Sequence, residues 1–358
     1  MTFIRNTWYA AAWSGDIGRK LFSRTLLNEP VLFYRREDGS IVAMRDRCPH
    51  RLVPLSMGRL VGDDVECIYH GLKFDGGGRC IANPNGSQLI PKAAAVDAYR
   101  VVERHQIVWI WMGEQALADE AQVPDLPWLA DPEHFTETHG TTTLPASYLL
   151  VVDNLMDLRH TAFLHSALEP RDHALIPVKD YEENGRVWAK IFSENTPPPP
   201  FFAMKIEGRV DHWQEMLCYP PGVCAIFYGV TAPGRPRKEG LDTINISLVT
   251  PETDRSSHYL WASARDFDLD DGKLTEAVRE GSAYAFANED APVLAAQQQA
   301  IGDRDLMEFG PVLFSNDVAA GRVRRIIERR LAEERQGGAP TCGEGNWPPG
   351  TDAALLSI

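Results

Sequence analysis

Cys48-Pro49-His50-Arg51 and, with sixteen residues between His50 and it, Cys67-Ile68-Tyr69-His70-Gly71 decide how this chain is to be read. The pattern is Cys-x-His followed by Cys-x-x-His. Two thiolates and two imidazoles hold either zinc or an iron–sulfur centre. Zinc sites more often take their cysteines from one loop and their histidines from another, whereas here each loop brings one of each. Gly71 and the run Gly76-Gly77-Gly78 suit tight turns around a metal group.

In a Rieske-type [2Fe–2S] centre one iron takes two cysteines and the other two histidines. Two hairpin-like loops, each giving one of each, meet that need. The segment resembles the cluster-binding motif of the Rieske oxygenases. That resemblance implies that Cys48 and Cys67 hold one iron while His50 and His70 hold the other. Histidine ligation sets the potential at about −150 to +300 mV, above that of four-cysteine clusters.

Outward from this motif, short apolar runs alternate with turn signals. Val31-Leu32-Phe33-Tyr34, Ile41-Val42-Ala43-Met44 and Ile107-Val108-Trp109-Ile110-Trp111 read as strands, so residues 1–113 form a small all-β domain. Residues 114–139 turn to Ala, Asp, Glu and Pro and read as a connection. A second domain over 140–335 mixes a helical stretch from Tyr148 to His165 with strands such as Cys224–Val230 and Ile244–Val249. Helices follow over Leu274–Gln299 and Ala319–Glu334. Pro197-Pro198-Pro199-Pro200 is expected to be extended, and 336–358 is a Gly/Pro-rich tail.

A cluster alone makes an electron carrier. The further feature is Asp153-Asn154-Leu155-Met156-Asp157-Leu158-Arg159-His160-Thr161-Ala162-Phe163-Leu164-His165. Two histidines five apart are weak evidence by themselves. Beside the first motif, the segment resembles the mononuclear-iron motif of the same oxygenases, Asp-x-x-His-x-x-x-x-His. On a regular helix positions five apart point about 140° away from each other. For His160 and His165 to share a metal, the helix must therefore distort near Ala162 by a π-bulge or a break, or His165 must lie past its end.

A facial triad also needs a carboxylate. The resemblance points to Asp290 in Phe286-Ala287-Asn288-Glu289-Asp290, with Glu289 adjacent and Asp303 nearby as alternatives. It further implies that Asp157 accepts from His160 and from a cluster histidine, His70, across a subunit boundary. A head-to-tail homotrimer goes with that arrangement. Asn154, one turn before Asp157, orients the site or packs.

The chain is most similar to the group that includes vanillate O-demethylase oxygenases and dicamba monooxygenase, through Asn6-x-Trp8-Tyr9, Tyr69-His70-Gly71-Leu72, Val152–Leu158 and Thr250-Pro251-Glu252-Thr253. That resemblance implies an α+β protein: an N-terminal all-β Rieske domain, then a catalytic domain with an antiparallel sheet and flanking helices of the helix-grip type. It implies one [2Fe–2S] cluster, one mononuclear Fe(II), and O2-dependent hydroxylation ending in O-demethylation of a vanillate-like aromatic acid. Hydroxylation of another aromatic or alicyclic ring is the alternative oxygenase reading, and a Rieske electron-transfer protein is the alternative from another class. Phe201, Phe202, Met204, Phe227, Tyr228 and Phe286 are the candidate pocket residues. No Gly-x-Gly-x-x-Gly follows a strand, so electrons are expected from a separate NAD(P)H-dependent reductase or ferredoxin.

Bulk properties agree with an ordinary globular protein. Of 358 residues, 44% are hydrophobic and 24% charged. A net charge of −14 argues against nucleic acid and anionic membrane surfaces as partners. Six cysteines are too few for a disulfide scaffold, and Cys80, Cys218, Cys224 and Cys342 are given no chemistry. Met1–Tyr9 lacks a basic segment leading into a long apolar run, so a cytoplasmic location is expected.

Overall fold

The structure, a computed structural model, describes residues 3–165 and 168–337. Most of the expected tail, Cys342 included, lies outside the described residues. The chain divides into two compact units: Phe3–Val123 with Thr250–Thr253, and Pro124–Val249 with the chain from Asp254 onward. The segment read as a connection is thus shared between the units, and a strand, Thr136–Leu144, begins inside it.

The first unit is all β. Its larger sheet has six strands in the order Trp8–Trp13, Ile107–Trp111, Ala98–Arg104, Ile41–Arg45, Glu29–Arg35, Phe22–Leu26. Every residue of Ile107–Trp111 is buried, so that strand is covered on both faces. A four-stranded sheet follows, Arg59–Val61, Asp64–Glu66, Lys73–Phe74 and Cys80–Ala82. Leu32, Tyr34, Met44, Val65 and Phe74 pack into one apolar cluster that also takes in Cys48 and Cys67.

The second unit is α+β, as expected. Its seven-stranded antiparallel sheet runs Thr136–Leu144, Ser256–Arg265, Leu241–Thr253, Val223–Thr231, Val210–Tyr219, Arg186–Thr196, Lys179–Glu183. Its longer helical stretches are Tyr148–Met156, Gly272–Ile301 and Val318–Arg335. Among the described residues no helix is long and apolar enough to cross a membrane.

Two local expectations are corrected. The stretch from Tyr148 to His165 is not one helix: it ends at Met156, Asp157 turns to φ −91°, ψ 92°, and a single turn, Thr161–Leu164, follows. Pro200 is not extended but opens the short helix Pro200–Ala203. It sits at a first-turn position where a missing N–H costs nothing.

Candidate metal centres

The two cysteine–histidine loops close in the same way. Cys48 N–H donates to Val53 O at 2.8 Å and receives Leu52 N–H on its own carbonyl at 2.9 Å. Cys67 N–H donates to Leu72 O at 2.8 Å and receives Gly71 N–H at 3.0 Å. Asp46 anchors the first loop, accepting from Ser23 Oγ (2.6 Å), Ser56 N–H (2.7 Å) and Ser56 Oγ (2.6 Å).

Both cysteines are buried, His50 is exposed and His70 half-buried. The two imidazoles lie with ring centroids 4.4 Å apart. Burial pushes the Cys48 thiol up to about 11, partly offset by main-chain N–H groups of His50 and Arg51. A buried thiol pair beside two converging imidazoles is a poor arrangement without a metal and a good one with an iron–sulfur group.

In the second unit, His160 Nε2 and His165 Nε2 both face Asp290 Oδ1, at 3.6 and 3.4 Å. Their ligand atoms lie within 4.8 Å of one another. The chain achieves this by putting His165 just past the one-turn helix, at φ −105°, ψ 50°. Neither a bulge nor a break falls near Ala162: His160 to Leu164 is continuous helix, and the break at Asp157 lies before His160. A π-helical turn does occur, but at Ala285–Asp290, where it carries the carboxylate. Such turns gather at functional sites because they re-aim one side chain without ending the helix.

Each imidazole also has a partner for its other nitrogen. Glu289 Oε2 lies 2.7 Å from His165 Nδ1, and His160 Nδ1 sits on the main-chain carbonyl of Asp157. Asn154 Nδ2 donates to Asp290 Oδ1 at 3.2 Å. Burial alone would raise the Asp290 carboxyl, yet the two imidazoles hold it well below the usual carboxylate range. Burial alone would lower His165, and Asp290 with Glu289 raise it instead. The donor set, two imidazoles and one carboxylate backed by further acceptors, fits a facial-triad iron.

Asp303 is not part of this group; it is exposed and faces Arg255. The contact expected between Asp157 and His160 is made by the carbonyl, not the carboxylate. Its Oδ1 instead accepts Arg159 N–H (2.9 Å) and Asn316 Nδ2 (3.3 Å). The helix break explains the exchange, since it turns the Asp157 carbonyl toward the ring.

Of the expected pocket residues, Phe286 stacks edge-on to Tyr259, centroids 4.5 Å apart, inside the turn that carries Asp290. Phe201, Phe202 and Tyr228 cluster with Phe267, and Met204 is exposed. Phe227 points to the opposite sheet face, into a cavity of about 500 Å³ lined by Trp128, Arg237 and Asp242 among others.

Sequence reasoning did not find Glu289 as a partner of His165, nor the ion pair behind the site. Arg324 Nη2 meets Asp153 Oδ2 at 2.6 Å and Arg324 Nη1 meets Asp305 Oδ2 at 2.9 Å. It also missed a buried group made of Glu169, His173 and, from the strand Val210–Tyr219, His212.

Residues 7–100 match the family model of the Rieske [2Fe-2S] domain, and residues 144–333 match that of the vanillate O-demethylase oxygenase C-terminal domain. The oxygenase component of dicamba O-demethylase from Stenotrophomonas maltophilia is 35% identical over 333 residues, covering 92% of this chain and 98% of that one. The iron–sulfur subunit of the toluene-4-sulfonate monooxygenase system from Comamonas testosteroni is 38% identical over 352 residues, covering 94% and 100%. The crystal structure of dicamba monooxygenase with non-haem iron and dicamba superimposes with a TM-score of 0.80 at 34% identity, covering 94% of this chain and all of that one.

Proposed function

This chain belongs to the Rieske non-haem iron oxygenases of the vanillate O-demethylase type, and from that membership we propose that it demethylates a methoxylated aromatic acid by O2-dependent hydroxylation. It is an oxidoreductase, the oxygenase component of a monooxygenase, and carries a Rieske [2Fe–2S] cluster. The observation that carries the proposal is the convergence of His160 Nε2 and His165 Nε2 on Asp290 Oδ1.

His160, His165 and Asp290 are assigned to a mononuclear Fe(II), which supplies O2 activation when bound. Cys48 and Cys67 are assigned to one cluster iron, His50 and His70 to the other. Glu289 fixes the orientation of the His165 ring through Nδ1, as the Asp157 carbonyl does for His160, and Asn154 holds the Asp290 carboxylate in place. The methoxyl carbon gains a hydroxyl oxygen: Ar–O–CH3, O2, two electrons and two protons give Ar–O–CH2OH and water. The hemiacetal then releases formaldehyde and leaves Ar–OH.

The electrons come from a separate NAD(P)H-dependent reductase or ferredoxin. Asp157 links the cluster of one subunit to the mononuclear site of the next in a homotrimer. Assay with a reductase, NADH and a methoxybenzoate is expected to give one formaldehyde per O2 consumed. A ring diol without formaldehyde would move the chain to ring hydroxylation. Cluster reduction with no turnover of any arene would leave an electron carrier.

A further inference from the structure

The Asp157 carboxylate is held by one of its two oxygens. Oδ1 accepts Arg159 N–H at 2.9 Å and Asn316 Nδ2 at 3.3 Å, and among the described residues Oδ2 has no hydrogen-bond partner. An ionised carboxylate only accepts, with about two sites on each oxygen, so Oδ1 is filled and Oδ2 is open. The two donors differ in kind. Arg159 N–H is a local contact within the turn that follows the helix Tyr148–Met156. Asn316 lies 159 residues away in the chain and ties the carboxylate to a separate segment.

That segment is itself fixed. Phe314 N–H donates to Asp317 Oδ2 at 2.5 Å, and Asp317 N–H donates to the Phe314 carbonyl at 3.1 Å. The resulting turn encloses Asn316 and leads directly into the helix Val318–Arg335. Farther along that helix, Arg324 Nη2 meets Asp153 Oδ2 at 2.6 Å, one turn before Asp157. The same two segments are thus joined twice, by Arg324 with Asp153 and by Asn316 with Asp157. The ion pair sets their register, and the amide donor arrives at Oδ1 already placed. Val312, Leu313 and Phe314, just ahead of Asn316, are exposed, so this edge lies at the surface of its unit.

We propose that Asn316 is a positioning residue for electron transfer, holding Asp157 by Oδ1 so that Oδ2 faces a cluster imidazole of the neighbouring subunit. This deepens the reading of Asp157 given above and rests on it. One electron leaves the reduced cluster and is received at the mononuclear site, and no bond to Asp157 or Asn316 is made or broken. Without Asn316 the carboxylate keeps one donor and turns about its terminal torsion, which is intrinsically broad. The imidazole then meets a correctly aimed oxygen only part of the time.

Two measurements test this. The first is the thermal midpoint of Asn316→Ala, Asp157→Ala and the double variant. The losses are expected not to add, the double variant falling by less than their sum; additive losses overturn the proposal. The second is the rate at which the reduced cluster is reoxidised in one turnover, when iron-loaded protein meets O2 and 4-methoxybenzoate. Asn316→Ala is expected to slow it about 10- to 100-fold, with iron content, cluster potential and 4-methoxybenzoate binding unchanged. Asn316→Asp fills the same space but replaces the donor by an acceptor, so it should be slowed at least as much. A wild-type rate in Asn316→Asp overturns the proposal, because the side chain then only fills space, and this holds even where Asn316→Ala does not fold. Asp157→Asn separates the two levels. If it too transfers at the wild-type rate, the Asp157 link fails and this inference with it. If it is slow while both Asn316 variants are fast, only the role of Asn316 is wrong. No iron-dependent reoxidation in wild type with any methoxyarene removes the demethylase reading and this inference together.

Discussion

Leu52 and Gly71 occupy equivalent places in the two cluster loops. Each lies four residues past its cysteine, each takes a left-handed backbone (φ 62° and 70°), and each donates its N–H to that cysteine's carbonyl. Only the second is glycine. A Cβ at Gly71 would stand 2.9 Å from Pro84 Cγ, whereas the Leu52 side chain is 61% exposed and meets no such wall. Left-handed backbone costs a residue with a Cβ about 1–2 kcal/mol.

Gly71→Ala is therefore expected to destabilise the first unit by about 1–3 kcal/mol and to shorten cluster lifetime on warming. Leu52→Gly removes the strain but loosens the unfolded chain, so it should stay within about 1 kcal/mol of wild type. Visible absorbance of the cluster against temperature checks both. Equal loss in the two variants would mean that backbone strain does not distinguish the loops.

Glu289→Gln keeps a hydrogen bond to His165 Nδ1 but removes its charge. Loss of such a partner typically costs about 10- to 100-fold in metal affinity. Competitive iron removal by a chelator should strip the mononuclear iron from this variant first, with the cluster signal intact. Parallel loss of both would place Glu289 outside this role.

Arg324 joins the helix Val318–Arg335 to Asp153 on the helix leading into His160, and to Asp305. Burial pushes the Asp153 carboxyl up, and Arg324 opposes that. Arg324→Ala should cost about 3–5 kcal/mol, because it leaves carboxylates without their counter-charge. Adding Asp153→Asn should recover part of the loss. Denaturant midpoints measure both.

His212 gives stability a sign with pH. Its imidazole ionises near 6.5 when unfolded and near about 3 when folded. The unfolded chain therefore takes the proton first as pH falls. The contribution is fully present above about pH 6.5 and drains away toward 3, by up to about 1.4 kcal/mol per pH unit. His212→Gln should flatten the unfolding free energy between pH 6 and 4 relative to wild type. Parallel curves would show that this ring is hydrated.

The parts of the site that the sequence reveals are those built from neighbours in the chain. Cys48 with His50 and Cys67 with His70 lie on two short loops whose spacing is itself the chemistry. That His165 could lie past the end of its helix followed from helix geometry. What joins distant segments was hidden: Glu289 on His165, Arg324 on Asp153, and Glu169 with His212, which meet only once the sheet forms. The position of the π-turn was equally hidden, since Ala285–Asp290 reads as ordinary helix. One error was avoidable. Phe227 and Tyr228 are consecutive in a strand and must face opposite ways, so both could not line one pocket.

The central claim is that this chain carries a second iron site besides its cluster, held by His160, His165 and Asp290. Iron and acid-labile sulfide per chain test it most directly, measured on wild type and on Asp290→Ala with the electron paramagnetic resonance signal of the reduced cluster recorded beside them. The account predicts the two irons and two sulfides of the [2Fe–2S] cluster plus one further iron in the wild type, and loss of that iron alone in the variant. An iron content equal to the cluster's in wild type, unchanged by added Fe(II), would contradict it.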